Sequence, residues 1–256
     1  MDKNNKNHET PKPTAFLSSA KSLSKSIGIA HQRRVWSRRS ESWDHGDFPG
    51  IDKLVEQVLK LACPQLDMVA VDLGCGSGRL SIALAPLVSR VIGVDVSSAM
   101  LDRLNEKALE QGVGNLETRL AAIEDLSFQS GSISLVVSSY ALHHLRDDDK
   151  QRLVKEAVRW LRPGGRLVIG DMMLGRGASR KDREIIASKA AAFLKKGPGG
   201  WWRLVKNAGR FLFRFQERPI SADAWVRLFK ENGLVDVQSH PVVAEACVVC
   251  GKVPTG

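Results

Sequence analysis

The sequence predicts an α/β domain. It should hold a doubly wound, mostly parallel seven-stranded sheet with a C-terminal antiparallel hairpin and a helical insert after strand 5. Three observations carry this. Short β-rich runs alternate with longer helical patterns between residues 68 and 171, and strand–helix alternation builds a parallel sheet with helices on both faces. Two further β-rich runs near the C-terminus are separated only by Pro241, which is too close for a parallel crossover. Between these regions the pattern changes to a long basic stretch broken by Gly197-Pro198-Gly199-Gly200.

The elements follow in order. Residues 1 to about 15 mix Lys, Asn, Pro and Thr without periodicity and read as disordered. Apolar residues at Ile51, Leu54, Val55, Val58, Leu59 and Ala62 make a helical stripe over Gly50–Ala62. Strands are expected at Met68–Leu73, Val91–Asp95, Leu116–Leu120, Ile133–Ser138 and Arg166–Asp171. Helices fall near Ser77–Leu87, Ala99–Gln111 and Asp148–Leu161. The last of these opens on three aspartates and meets Pro163-Gly164-Gly165, which suits the helix dipole and a firm stop. Ser221 should cap a short helix ending at Asn232-Gly233. The runs Leu234–His240 and Val242–Gly251, joined at Pro241, complete the sheet.

Composition narrows the class. With 256 residues and 43% hydrophobic content, the chain can bury one substantial core. No apolar run approaches the roughly 18 residues of a membrane span, and the polar start lacks a secretory signal. Cys247 and Cys250 are three apart in a β-rich run and so point to opposite faces. They read as core thiols of a cytoplasmic protein, and no metal site is expected. The net charge of +10 is uneven. Residues 1–40 hold nine Lys/Arg against Asp2 and Glu9, and residues 175–218 hold twelve against Asp182, Glu184 and Glu217. The remainder is mildly acidic, so these two segments carry all the excess positive charge. Such charge informs partners rather than fold.

The most informative stretch is Val69-Ala70-Val71-Asp72-Leu73-Gly74-Cys75-Gly76-Ser77-Gly78. An apolar strand runs into alternate glycines and then a helix, a turn that lets a ligand lie against bare backbone. The dinucleotide fingerprint needs a third glycine where Arg79 stands. Asp72 would face the ligand, which disfavours a pyrophosphate and favours a cationic amino-acid group. A second strand ends in Asp95, 21 residues after Gly74, about the interval at which an acid reaches ribose hydroxyls. A ligand with an ammonium, a sulfonium and no phosphate, S-adenosylmethionine, fits both elements. A nicotinamide dehydrogenase and a non-catalytic scaffold fit less well.

From about Trp43 to Gly251 the chain resembles the Rossmann-like class I methyltransferases, in particular their quinone-biosynthesis-like (type 11) branch. Val71–Gly78 resembles the family's first motif and Gly93–Ser97 its second. Ala122–Phe128 is similar to the third, Ser138–His144 to the fourth, and Leu161–Gly165 to the turn before the fifth strand. The resemblance makes 41–256 the methyltransferase domain, with 175–218 as a basic lid or insert. It implies that Asp72, Gly74, Gly76 and Gly78 hold the methionine moiety while Asp95 and Val96 border the ribose. Met100 would pack near the adenine, Ile123 and Glu124 would flank its edge, and Ser138 would lie by the methionine end. Ala122 stands where the family often has an adenine-binding aspartate.

Methyl transfer from a sulfonium chiefly needs alignment and exclusion of water, and a base helps oxygen and carbon acceptors. His143 and His144 follow the fourth strand, where they can serve as that base or shape the loop. Tyr140 can contact cofactor or acceptor or simply pack, and Asp171 ends the fifth strand near the same edge. In the insert, Trp201, Val205, Ala208, Leu212 and Phe215 line one stripe and Arg203, Lys206, Arg210 and Arg214 another, an amphipathic basic helix. It reads as a lid, as a peripheral membrane contact over 201–215, or as a holder of an anionic acceptor or nucleic acid. The resemblance implies that this insert covers the acceptor and that the N-terminal segment around Trp36 and Trp43 folds over the cofactor, so that both basic segments border one opening. The expected acceptor is therefore a small apolar or anionic molecule, quinone-, lipid- or polyketide-like. RNA or protein methylation is the alternative. It is disfavoured because Ser138-Ser139-Tyr140-Ala141 lacks the Asn/Asp-Pro-Pro-aromatic clamp of amino-group modifiers.

Overall fold

A computed structural model describes residues 28–38, 49–175, 183–184, 187, 217–243 and 245–255. The reading of residues 1–15 as disordered and that of 201–215 as an amphipathic helix lie outside these residues.

Seven strands form one sheet. They are β1 (Val69–Leu73), β2 (Arg90–Asp95), β3 (Leu116–Leu120), β4 (Ile133–Ser139), β5 (Leu161–Met172), β6 (Val235–Val243) and β7 (Ala246–Lys252). Their spatial order is β3-β2-β1-β4-β5-β7-β6. The first five pair in parallel, and β7 runs antiparallel to both β5 and β6. The helices are α1 (residues 28–38), α2 (Pro49–Ala62), α3 (Arg79–Leu84), α4 (Ser98–Glu110), α5 (Asp147–Trp160) and α6 (Ala222–Glu231).

Two apolar cores flank the sheet because successive strand residues face opposite ways. Val71, Val136, Leu167 and Val249 pack with Leu153, Val154 and Trp160 of α5 and Trp225 and Phe229 of α6. On the other face Ala70, Leu135, Val137 and Val248 pack with Leu54, Val55 and Val58 of α2 and Leu80 and Leu84 of α3. Cys247 belongs to the first core and Cys250 to the second, so the two thiols stand on opposite faces, as the strand spacing requires.

Three boundaries differ from the sequence reading. The helix expected over Ser77–Leu87 is α3 plus a 3-10 turn at Ala85–Leu87. Gly76 and Gly78 hold positive φ ahead of it, and Pro86 supplies no N–H to continue an α-helix. Strand β5 begins at Leu161 rather than Arg166, since Leu161 already pairs with Ile133. The Pro-Gly-Gly segment sits within a register shift that follows this pair. Pro241 is not the hairpin junction. It pairs with Cys247 inside β6, an edge strand where a missing N–H is tolerated, and the pairing continues to Val243 with Ala246. Ser221 does cap α6, its hydroxyl accepting from the Ala224 N–H at 3.2 Å.

The connection from β3 returns past β2 and β1 to start β4 on the far side of β1. The order therefore reverses between β1 and β4, and the crevice beyond their carboxyl ends is where such sheets bind ligands. Gly74 follows β1 there, and Tyr140 follows β4.

Candidate functional site

A cavity opens at this crevice, with about 1000 Å³ of empty space when the part open to solvent is included. Its floor is the turn after β1. The Gly74 and Cys75 N–H groups both donate to the Val94 carbonyl, at 2.8 and 3.0 Å, and the Gly78 N–H donates to the Cys75 carbonyl at 2.9 Å. Gly74 has φ of +73°, and a Cβ there would fall 2.3 Å from the Ala141 Cβ. Only glycine lets the loops after β1 and β4 approach so closely. At Gly76, φ is +52° and nothing lies within 4 Å of a Cβ position, so its backbone faces open space.

Asp95 closes this turn. One carboxylate oxygen accepts from the Gly76 N–H at 3.0 Å and the other from the Ser97 N–H at 2.9 Å. Burial raises its pKa against the lowering effect of these backbone bonds. Asp72 is 1% exposed and accepts from the Ser81 hydroxyl at 2.6 Å. Desolvation and the charge of Asp95 push Asp72 up to about 7, against the Ser81 bond. Burial and the same two carboxylates keep the Cys75 thiol protonated.

Most of the residues singled out in the sequence meet in this cavity. Asp72, Gly74, Gly76, Asp95, Val96, Met100, Ile123, Glu124, Tyr140 and His144 all line it. Three others stand behind the wall. Gly78 has φ of +92° and would place a Cβ 2.0 Å from Leu104, so it seats α3 against α4. Ser138 is buried and donates to the Leu73 carbonyl at 2.7 Å, and its neighbour Ser139 takes the place in the wall.

The third is His143. Its Nδ1 lies 2.6 Å from one Asp171 oxygen, and its backbone N–H donates to the other at 2.8 Å. Burial lowers its pKa, but the charge and hydrogen bond of Asp171 outweigh this and raise it overall. The His143 ring packs against His144 with centroids 4.1 Å apart. Tyr140 holds a left-handed φ of +51°, and its N–H donates to the Gly170 carbonyl at 2.9 Å. Burial, then Glu245 and Asp171, push its phenol up to about 12. The end of β5 thus fixes the loop that follows β4.

The rest of the wall comes from elements without motif signal. Ile29, Gln32 and Trp36 of α1 line the cavity, as do Ile51 and Val55 of α2 and Leu145. Gln32 donates to the His144 carbonyl at 3.2 Å, Arg33 donates to the Val96 carbonyl at 3.3 Å, and the Ser37 and Ser97 hydroxyls lie 3.1 Å apart. Trp36 meets His144 edge-on at 5.4 Å. The spacing Ile29-Gln32-Trp36 is a one-face helical signal, but it lies in a segment whose basic composition dominates the reading.

Geometry and chemistry agree on the ligand. An open glycine backbone, two acids and the apolar side chains of Met100 and Ile123 along the same wall suit a nucleoside bearing a cationic amino-acid tail. The fold and the residues that line this cavity match what the sequence leads one to expect of a class I S-adenosylmethionine-dependent methyltransferase. Residues 70–165, which span β1 to the Pro-Gly-Gly turn, match the profile of the methyltransferase domain family. The chain carries that domain, and its methyl donor is S-adenosylmethionine. The uncharacterised protein YafE of Escherichia coli is 29% identical over 170 residues, covering 64% of this chain and 81% of YafE. The 27-O-demethylrifamycin SV methyltransferase of Amycolatopsis mediterranei is 32% identical over 106 residues, 41% of this chain and 38% of that enzyme. The chain thus spans well under half of the rifamycin-type relative. A Haloferax volcanii methyltransferase solved with the Trm112 methyltransferase activator superposes with a TM-score of 0.65 at 16% identity, covering 86% of this chain and 97% of its own. That likeness shows the fold alone.

Proposed function

We propose that this methyltransferase modifies a small, largely apolar acceptor through an oxygen atom, and that it belongs to the quinone-biosynthesis-like branch. One observation carries the acceptor reading. Beyond the glycine turn, the cavity wall includes Ile29, Trp36, Ile51, Val55 and Leu145, apolar side chains from α1, α2 and the loop after β4, beside the polar Gln32, Tyr140 and His144. The similarity to an enzyme named for a 27-O-demethylrifamycin acceptor supports both the size and the oxygen. The branch reading rests on the resemblance of the ordered motifs from Val71–Gly78 to Leu161–Gly165, and that of a cytoplasmic protein on the core placement of Cys247 and Cys250.

Bound S-adenosylmethionine supplies an electrophilic methyl on a good leaving group, so the protein's task is alignment. In this reading Asp95 receives the ribose hydroxyls, exchanging one or both backbone donors for them. Asp72 receives the ammonium, and Met100 and Ile123 hold the adenine. The apolar wall seats the acceptor and keeps water from the reacting line. His144 is the imidazole that faces the cavity, and it takes the proton the acceptor oxygen releases as its bond to the methyl forms. His143, clamped by both oxygens of Asp171, positions that ring without touching the acceptor. Tyr140 contributes a neutral phenol as a hydrogen-bond donor.

The test is to incubate the protein with methyl-labelled S-adenosylmethionine and a cell extract. Label in small, organic-soluble molecules is the expected outcome. Transfer solely to RNA or to protein overturns the acceptor reading.

A further inference from the structure

The cavity wall presents carboxylates from Asp72, Asp95 and Glu124, and among the described residues that line it Arg79 is the only Lys or Arg. The three acids suit the ammonium and sulfonium of the cofactor and repel its carboxylate. We propose that Arg79 receives that carboxylate, and that Asp52 is the partner it leaves in order to do so. The proposal rests on S-adenosylmethionine occupying this cavity.

The placement follows from the cavity wall. An α-amino acid carries its ammonium and carboxylate on the same carbon, so their receptors must converge. Arg79 opens α3, and Ser81, two residues on, donates to Asp72 at 2.6 Å. Side chains two apart on a helix face different ways, so what brings the two receptors to one ligand is that Asp72 and Arg79 both line this cavity.

Arg79 has no evident helix-stabilising reason to be there. A positive side chain in the first turn opposes the helix dipole, and α3 has no acidic residue in that turn to offset it. Compensation comes from another element. The guanidinium meets Asp52 of α2 at 2.5 Å, with side-chain exposures of 34% and 56%. An ion pair so open to water contributes little and is readily exchanged. A ligand carboxylate seated against the same guanidinium would gain a planar, two-donor partner.

Binding calorimetry with two ligands tests this. S-adenosylmethionine carries the carboxylate, and its decarboxylated analogue keeps the ammonium, sulfonium and adenosine. Arg79→Gln should weaken S-adenosylmethionine about tenfold, the loss of a partly exposed charge-assisted contact, and leave the analogue unchanged. Arg79→Lys should fall between, since a point charge replaces the two-donor fork. It also serves as the control should the Gln variant fold poorly. Equal weakening of both ligands overturns the proposal, as does unchanged affinity for S-adenosylmethionine in a folded variant. Should the wild-type protein bind neither ligand, the cofactor's place in this cavity falls instead.

Discussion

The two halves of the cavity are built in opposite ways. The proposed cofactor half comes from two short contiguous stretches, the β1 end with its glycine turn and the β2 end with Asp95, tied by the bond from Gly76 to Asp95. The proposed acceptor half comes from α1, α2 and the loop after β4, joined by isolated contacts such as Gln32 to the His144 carbonyl and Trp36 against the His144 ring. The first is written in short local stretches. The second is an assembly whose members touch only in the folded state, and such walls are where acceptor selectivity can vary without disturbing the cofactor.

If the halves are functionally separable, substitution at the loop after β4 should spare cofactor affinity. His144→Ala is expected to lower turnover on the identified acceptor by about 10²–10⁴-fold, the range for loss of a general base. Affinity for S-adenosylhomocysteine by calorimetry should stay within a small factor. A matching loss of affinity would show that the two halves are one. Asp171→Asn, acting through His143, should lower turnover less and alter the pH profile.

Gly74 packs the turn after β1 directly against the loop after β4, so it should fail in both. Gly74→Ala must move the Ala141 backbone to relieve a 2.3 Å approach. It must also hold a left-handed conformation that costs a non-glycine residue about 1–3 kcal/mol. Cofactor affinity should fall up to about a hundredfold on that cost, with a lower melting temperature. Gly76→Ala shares the positive φ but meets nothing within 4 Å, so its melting temperature should fall less. Equal behaviour of the two variants would refute the close-packing argument.

Within the cofactor half, Asp95→Ala should weaken S-adenosylmethionine at least about tenfold, as expected for a lost pair of charge-assisted bonds. It also removes the acceptor of the Gly76 and Ser97 N–H groups. Unchanged affinity in a folded variant would remove Asp95 from the ribose role.

The sequence made the fold and the cofactor half legible because both are written locally. Alternating strand and helix patterns are contiguous, and Asp72, Gly74, Gly76 and Asp95 fall within 24 residues. What escaped was set by tertiary contact. Whether Ser138 or Ser139 faces the cavity depends on strand parity, and parity is fixed by which neighbour each residue meets across the sheet. That His143 turns inward depends on Asp171, 28 residues away on β5. Pro241 looked like a junction because proline usually punctuates a strand, and only the edge position of β6 makes it acceptable there. Ile29, Gln32 and Trp36 share one helix face, yet nothing local says that the face closes over a glycine turn more than 35 residues downstream.

The smallest expected effect separates the halves by pH. Asp72 is raised from 3.8 to about 7 by burial first and then by Asp95, so the free protein binds a proton there that the unfolded chain has lost. A raised acid opposes folding once ionised. This group's contribution to stability should therefore decline as pH rises from about 4 to about 7 and stay flat above. Cofactor binding should run the other way, because the ammonium needs the ionised carboxylate. Affinity for S-adenosylhomocysteine should rise through pH 7 and level off, by no more than about tenfold between pH 6 and 8. Asp95, also raised by burial, adds in the same direction. Asp72→Asn should flatten the stability trend and most of the affinity trend while leaving the acceptor wall untouched. Calorimetry across that pH range with the Asn variant beside the wild type decides it, and a pH-independent wild-type affinity would mean that Asp72 does not hold the ammonium.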